Sequence, residues 1–544
     1  MTSPGTVLPL ESVNVQAVKS TFGSGTTLND TIAWNFGDPG SAYNSSLVGF
    51  NAAHAYANAG TYTITLSITT PDGHVGVATT TVIVAPDTRK TIYISSNGND
   101  SNDGTSASAP IQSIDRLDQL ISSNTRVLFE DGGTYKLTNN SLYLAGLQHV
   151  YIGSYGSGAQ PILMSTSASI GSIITFSSQS EGIVIQGLSF DSVFTADDSG
   201  APDGADPVGN DITFLGNTFL NLTDGINMNE LPTNVLVQGN SVPLTGTSSN
   251  ALNGYFCWIQ GSEIALVGNT VANTIDQAVI RAGGAGTVGT TDLLVAFNNF
   301  TKLSPAGQSY KNCITINWGE YVYVYANQTL NGPILVGPIG DDGTPEPDQS
   351  IQNCVIDSNF MTDDVINIAP NAIDTMVKNN VLNPDNSYGI YVDSTDVGNG
   401  ITWQVQNLTI QNNTVDQTSE DGGFLFVQGG ESKGIVVDNN VYVNPNLVVG
   451  DNQSAYIYTT NNDLNSFSQI KDNVWGSPAQ IYGWNDGGVF FVGSNAAAQS
   501  GWITPSEWEA SGLATGDVYE KVSLGDNYSV NADGFTAGSD LPKT

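Results

Sequence analysis

The sequence predicts an all-β chain: a small N-terminal β-sandwich, then a right-handed parallel β-helix that opens with a short capping helix. Three observations carry this reading. A phrase of apolar run, Asn, small residue and apolar residue keeps returning, as VQGNSV at Val237–Val242, LVGNTV at Leu266–Val271, FNNF at Phe297–Phe300, KNNV at Lys378–Val381, QNNTV at Gln411–Val415 and DNNV at Asp438–Val441. Asn240, Asn269 and Asn298 are 29 residues apart, and Asn413 and Asn439 are 26 apart, spacings that belong to solenoids. Each unit holds two or three short β-runs broken by Gly, Asn, Asp and Ser, with almost no helical periodicity. One such unit cannot bury its own apolar face. Stacked coils can.

At 544 residues the chain is too long for one ordinary core, so it divides into domains or forms a repeat array. Its 60 glycines fit a turn-dense β architecture. A balance of 14 Lys+Arg against 51 Asp+Glu, a formal charge of −37, argues against nucleic acid and anionic membranes as partners. Most Asp sit beside Asn and Gly, which suits turns and calcium ligation, and equally plain solubility. Cys257, Cys313 and Cys354 show no metal-type spacing and read as buried structural thiols. No apolar stretch is long enough to span a bilayer. The opening MTSPGTVLPLES lacks the basic and apolar regions of a signal peptide.

Residues 1–10 read as a tail and 11–86 as the sandwich. AWNFGDPGS at Ala33–Ser41, HAYANAGTYTITLSI at His54–Ile68 and ATTTVIV at Ala78–Val84 give alternating strands. Through Trp34, Phe36, Gly37, Asp38, His54, Tyr56, Gly60, Tyr62, Ile64 and Leu66 this segment resembles the PKD domain family, with Ile64 where the family has Val. The resemblance implies an immunoglobulin-like sandwich serving as a spacer or binding module, His54 as a structural strand residue, and a secreted or cell-surface protein. Residues 87–90 form the linker.

The β-helix is assigned to 91–475. It opens with TIYISSNGNDSNDGTSASAP and then IQSIDRLDQLI, whose Ile111, Ile114, Leu117, Leu120 and Ile121 share a helical face. This resembles the opening of many carbohydrate-active, pectate-lyase-like β-helix proteins, where a helix caps the first coil. A cap is physically required, because that coil would otherwise expose core and unpaired strand edges. The repeated asparagines read as an inward stack at turns. Residues 476–544, with Trp484, Trp502 and Trp508, lose the period and read as a tail covering the last coil.

A second β-run follows each Asn phrase, and alternation sorts its side chains. With aliphatic residues inside, an outward row remains: Asn227, Asn229, Phe256, Trp258, Arg281, Asn317, Asn367, Tyr391, Asp393, Phe426, Gln428, Tyr456 and Tyr458, with Trp318 at a strand end. Rings and amides in register suit a linear polysaccharide.

Arg281 stands out in so acidic a chain, five residues after Asp276. Here the sequence resembles the β-helix lyases of the alginate lyase and chondroitinase B family, which place a calcium-binding acid five residues before a basic catalytic residue. The family's base is Lys rather than Arg, its companion ligand falls on Thr274, and its second catalytic Arg falls near Asn317. The resemblance implies β-elimination on a uronate-containing polysaccharide, with Arg281, Lys311, Asp276 and Glu320 as catalytic residues and Asp224 and Asp276 holding Ca²⁺. Asn229, Trp258, Asn317, Trp318, Asn367, Tyr391, Asp393 and Gln428 would bind the chain. The alternatives are a hydrolase using Asp363, Asp364 and Asp393, or a non-catalytic adhesive protein. A trimeric spike depolymerase is disfavoured by the N-terminal domain.

Overall fold

The computed structural model describes every residue except 1–4, 21–26, 195–199, 244–251, 276, 284–288, 303–310, 339–348, 394–403, 430–431, 450–453, 461–463, 477–479, 482–487, 494–500, 520–523, 525–528, 533–534 and 539–544. Two compact units, 1–311 and 312–544, are taken in turn.

In the first unit the sandwich pairs Thr31–Asn35 with Ser46–Val48 and with Gly60–Thr69, which in turn pairs with Val75–Val84, all antiparallel. Ser12–Gln16 pairs antiparallel with Asn51–Ala55 on the other layer. Trp34, Phe36, Tyr56, Ile64 and Val82 are buried between them. His54 is structural: its Nε2 meets Asp38 Oδ2 at 3.0 Å, its Nδ1 meets the Asn44 carbonyl at 3.0 Å, and its ring stacks on Phe36.

Coils follow, each contributing one strand to three parallel sheets. Sheet A runs from Thr134–Leu137 through Thr218–Phe219 and Ser241–Val242 to Asn299–Thr301. Sheet B contains Leu142–Tyr143, Ser172–Thr175, Asp203–Asp206, Ile226–Met228, Cys257–Ile259 and Ile280–Ala282. Sheet C runs from Lys90–Ile94 through Asn210–Leu215 and Ser262–Val267 to Thr290–Ala296. The helix Ile114–Leu120 begins at an N-cap in which Ser113 Oγ accepts from Arg116 N, and it buries Ile114 and Leu117. Ile111 forms a β-bridge to Ile94 instead of starting the helix.

The asparagines do stack. Between sheets C and A, Asn217, Asn240, Asn269 and Asn298 form a buried ladder. Each Nδ2 donates to the next Oδ1 at 3.0, 3.1 and 2.9 Å, and the same oxygen accepts the preceding backbone N–H. The residue before each rung takes left-handed backbone, at Gly216, Gly239, Gly268 and Phe297, which turns the chain inward.

The sandwich lies against sheet C, so residues 87–90 are no free tether. Asn14 Nδ2 donates to the Glu263 carbonyl at 2.9 Å, Gln16 Nε2 to Glu263 Oε1 at 2.7 Å, and Asn51 Nδ2 to the Ile264 carbonyl at 3.1 Å. Arg89 is buried, donates to Asp87 and to the Pro9 carbonyl, and covers the Tyr151 ring.

The second unit repeats the coil. Its strands Ile314–Ile316, Ile334–Val336, Ile366–Ile368, Tyr388–Asp393, Gly423–Gln428 and Ile457–Thr459 pair in parallel succession. Its ladder is Asn327, Asn359, Asn380, Asn413, Asn440 and Asn473. Asn440, not Asn439, is the rung, so this interval is 27 residues. Asn439 is the left-handed residue before it. The ladder ends on Asp517, whose carboxylate accepts from Asn473 N, Asn473 Nδ2 and Trp475 Nε1. A last rung needs only acceptors, and a carboxylate supplies them. The helix Pro505–Ala510 lays Trp508 on Phe490, ring centroids 4.4 Å apart. Cys257, Cys313 and Cys354 are buried thiols outside any disulfide among the described residues.

Removing one rung strands several buried donors and acceptors. Asn269→Ala should lower unfolding free energy by roughly 3 kcal/mol, read as a shifted urea midpoint.

Candidate functional site

Register along sheet B builds the site. Tyr143 pairs with Thr175, Thr175 with Asp206, Asn227 with Trp258, and Trp258 with Arg281, while Ala205 beside Asp206 pairs with Ile226 beside Asn227. Six outward side chains, Tyr143, Thr175, Asp206, Asn227, Trp258 and Arg281, therefore stand on successive coils about 4.8 Å apart. Inward neighbours Ile174, Ala205, Ile226, Cys257 and Ile280 fill the core.

Four consecutive members carry a buried polar atom with no hydrogen-bond partner: Thr175 Oγ1, Asp206 Oδ1, Asn227 Oδ1 and Trp258 Nε1. Each such atom costs about 1–3 kcal/mol. Groups of this kind need an explanation in water, ligand or catalysis. Asn227 is 8% exposed, and its Nδ2 donates to Asp203 Oδ2 at 3.1 Å.

Three carboxyls gather there. Asp203 Oδ1 accepts from Asp224 N at 3.0 Å, Asp224 Oδ1 accepts from Tyr255 N at 2.6 Å, and Asp206 lies close enough to Asp203 to feel its charge. Burial and then the Asp203 charge push Asp206 up to about 7. The same two causes push Asp224 up to about 7, and burial raises Asp203. Three carboxylates cannot all ionise together in a low-dielectric site, so the cluster keeps protons near neutrality.

Sequence reasoning found Asp224, Asn227, Trp258 and Arg281 but missed Asp206 and Asp203. Their strand is hidden in APDGADPVGN, whose Gly, Pro and Asp read as loop. The detectable signal was Ala205, a small inward residue flanked by Asp on the outward side.

Other expected members are placed differently. Arg281 points outward but is only 8% exposed, and its Nη1 donates to the Tyr255 hydroxyl at 3.2 Å, which in turn donates to Gln277 Oε1 at 3.3 Å. Replacing it would disturb packing as well as chemistry. Asp276 lies outside the described residues. Asn229 is exposed just past its strand, and Lys311 is half-buried. Phe256 turns inward against Phe219, because the strand begins only at Cys257 and alternation does not extend through the corner. Tyr456 likewise turns inward and stacks on Trp475.

In the second unit Asn367 pairs with Tyr391, Tyr391 with Phe426, Phe426 with Tyr458, and Asp393 with Gln428. The rings stack on one another, Phe426 on Tyr458 at 5.2 Å and Tyr458 on Phe491 at 4.6 Å, and Tyr458 is buried. In this unit the outward rings form an aromatic cluster rather than an open platform. Asn317 is 1% exposed with Oδ1 unpartnered, and Trp318 is half-buried at the bend. Glu320 belongs to Gly319–Tyr325, which pairs with Ile351–Asp357, while Ile314–Ile316 pairs with Ile334–Val336. It has turned the corner onto another sheet, away from Asn317. Asp363 is exposed at a left-handed turn. Asp364 is buried and accepts from Thr329 Oγ1, Gly332 N and Val365 N, so it ties coils together instead of pairing with Asp393.

Of the two acids expected to hold calcium, Asp224 is buried and Asp276 lies outside the described residues. Among the described residues no group of three or more His, Cys, Asp or Glu could hold a metal ion. The oxygens near Thr274, the position where the lyase family's companion ligand falls, already surround an ammonium. Buried Lys302 Nζ donates to Thr274 Oγ1 at 2.9 Å, Gln277 O at 2.6 Å, Ile275 O at 3.3 Å and Thr274 O. No catalytic step is derived through calcium.

The raised carboxyls fix the sign of a pH effect. The folded chain binds their protons more tightly than the unfolded chain, so stability present in acid is lost as pH rises from about 4 towards 7. The melting temperature should be lower at pH 8 than at pH 5, with a flatter profile in Asp206→Asn. Chelator should leave the melting temperature unchanged, whereas Lys302→Met should cost roughly 2 kcal/mol in denaturant titration.

Residues 2–84 match the family model described as PKD domain. No curated protein sequence matches the chain. Among solved structures it is similar to a tailspike mutant of E. coli bacteriophage HK620 in complex with pentasaccharide (12% identity, TM-score 0.39, covering 69% of this chain and 70% of that one). It is also similar to the Yersinia enterocolitica family 28 exopolygalacturonase (12%, 0.34, 96% and 98%). A third likeness is to the A-module of the Azotobacter vinelandii mannuronan C-5 epimerase AlgE6 (11%, 0.37, 67% and 93%). The chain carries an N-terminal PKD domain, and its stacked parallel sheets are those of a right-handed parallel β-helix.

Proposed function

We propose that the protein is a carbohydrate-active enzyme that hydrolyses a polysaccharide lying along sheet B. The carrying observation is the crowding of three raised carboxyls, Asp203, Asp206 and Asp224, beside a row whose neighbours are Asn227 and Trp258. An amide and rings on successive rungs offer hydrogen bonds to sugar hydroxyls and faces for sugar rings. The rise between rungs is comparable with one sugar residue.

Asp206, held protonated near neutrality, gives its proton to the departing glycosidic oxygen. Water attacks the anomeric carbon, and its proton passes to the Asp203 carboxylate. Proton exchange within the carboxyl cluster then returns that proton to Asp206, restoring the starting state. Asp224 stands beside this pair as the third carboxyl, raised like Asp206. Its backbone contact with Tyr255 fixes it in place.

A second reading, β-elimination, is supported by the contact of Arg281 Nη1 with the Tyr255 hydroxyl. There a guanidinium would neutralise a uronate carboxylate beside a phenol able to exchange a proton.

Asp206→Asn should abolish turnover, by about a thousandfold or more, without lowering thermal stability. In the unmodified enzyme the rate should fall as pH rises through about 7, as Asp206 loses its proton. Products of hydrolysis add no ultraviolet absorbance, whereas an unsaturated product absorbing in the ultraviolet would establish elimination and discard the hydrolytic assignment.

A further inference from the structure

Sheet B's row does not stop at the carboxyls. One rung before Asp206 stands Thr175, and one before that Tyr143, in register. These two residues line a cleft of about 560 Å³ together with Asp118, Asn139, Asn140 and Ser141, within the range of small-ligand sites (about 300–1,000 Å³). Its chemistry is specific. Tyr143 is a strand residue 61% exposed, an aromatic ring in contact with solvent. Thr175 Oγ1 is buried and has no hydrogen-bond partner. Asn139, Asn140 and Ser141 supply neutral donors and acceptors. None of the described lining residues is basic.

The remaining charge is negative. Asp118, on the capping helix, has an oxygen 3.5 Å from Tyr143 N. Burial raises it to about 6, so at neutral pH it is still a carboxylate. The next rung brings Asp206. The capping helix Ile114–Leu120 packs against the strand of Tyr143 and closes the row at this end, so a chain entering the cleft meets a wall.

We propose that this cleft is the subsite for the terminal residues of an uncharged glycan, taking them by ring stacking and neutral hydrogen bonds while its carboxylate repels uronates. The inference rests on the hydrolase reading and narrows it, since it makes the substrate a neutral chain gripped near one end. Stacking on Tyr143 fixes how many sugars reach from the wall to Asp206, and that number sets the length of the fragment released.

The test uses the full chain carrying Asp206→Asn, so that ligand survives. Isothermal titration is run with neutral β-linked gluco-, xylo-, manno- and chito-oligosaccharides of two to six residues, and with oligogalacturonates of the same lengths. Binding of a neutral series, with affinity rising with length, is expected. Adding Tyr143→Ala should weaken the longest members about tenfold and spare the shortest, with the melting temperature unchanged because the ring is exposed. Adding Asp118→Asn should allow oligogalacturonate to bind. The proposal is overturned if Tyr143→Ala leaves the longest ligand's affinity intact, if oligogalacturonate binds as tightly as the neutral series before Asp118 is altered, or if no ligand binds at all. Turnover separates the two failures. Should Asp206→Asn abolish turnover while Tyr143→Ala leaves binding unaltered, only the subsite falls. Retained turnover in Asp206→Asn removes the hydrolase itself.

Discussion

Everything in the β-helical part depends on keeping successive coils in register, and the interaction that enforces it is the buried asparagine ladder. A tight turn at the corner between sheets C and A leaves backbone N–H and C=O groups facing inward, where water cannot reach them. Each Asn answers both needs, with its Nδ2 donating to a carbonyl and to the neighbouring amide, and its Oδ1 accepting a backbone N–H and the amide before it. A rung displaced by one residue would break all of these at once. Register is therefore specified far more tightly than apolar packing alone would require.

Fixed register gives the outward residues their meaning. Thr175, Asp206, Asn227 and Trp258 are far apart in sequence, yet they face one lane because their coils cannot slip. The cost of four buried, unpartnered polar atoms and three crowded carboxyls is borne by an apolar core that runs beneath them. Local conflict of this kind, held in place by a consistent scaffold, is characteristic of sites that bind or react. By contrast, Asp364 and Asp517 are buried carboxyls whose oxygens are taken up by backbone amides, an amide side chain and an indole N–H. They stabilise coils and leave nothing over for chemistry.

The same geometry bears on the lyase-like spacing. Five residues separate Asp276 from Arg281, and the neighbouring turn is organised by the Lys302 ammonium, which donates to Thr274 Oγ1 and the Gln277 carbonyl. Arg281 in turn is engaged with Tyr255. Glu320, which looks close to the row in sequence, lies past a corner on a different sheet. Sequence distance along a solenoid says little about which of three faces a residue occupies.

Legibility divided along physical lines. The sequence alone determined the β-helix, the PKD domain, the capping helix and the asparagine stack, because these follow from short-range patterns: alternation, turn residues and a repeated phrase. It also determined that Asn227, Trp258 and Arg281 share a face, since period-2 alternation within well-formed strands is local. Only the tertiary structure decided that Asp203 and Asp206 join them, because their strand is written in Gly, Pro and Asp, which carry no β signal of their own. It alone decided that Phe256 and Tyr456 turn inward, since a strand's first residue is set by the corner before it. Burial of Arg281 and the carboxyls, and hence the protons they hold, depends on neighbours brought together by coiling, and no local pattern encodes that.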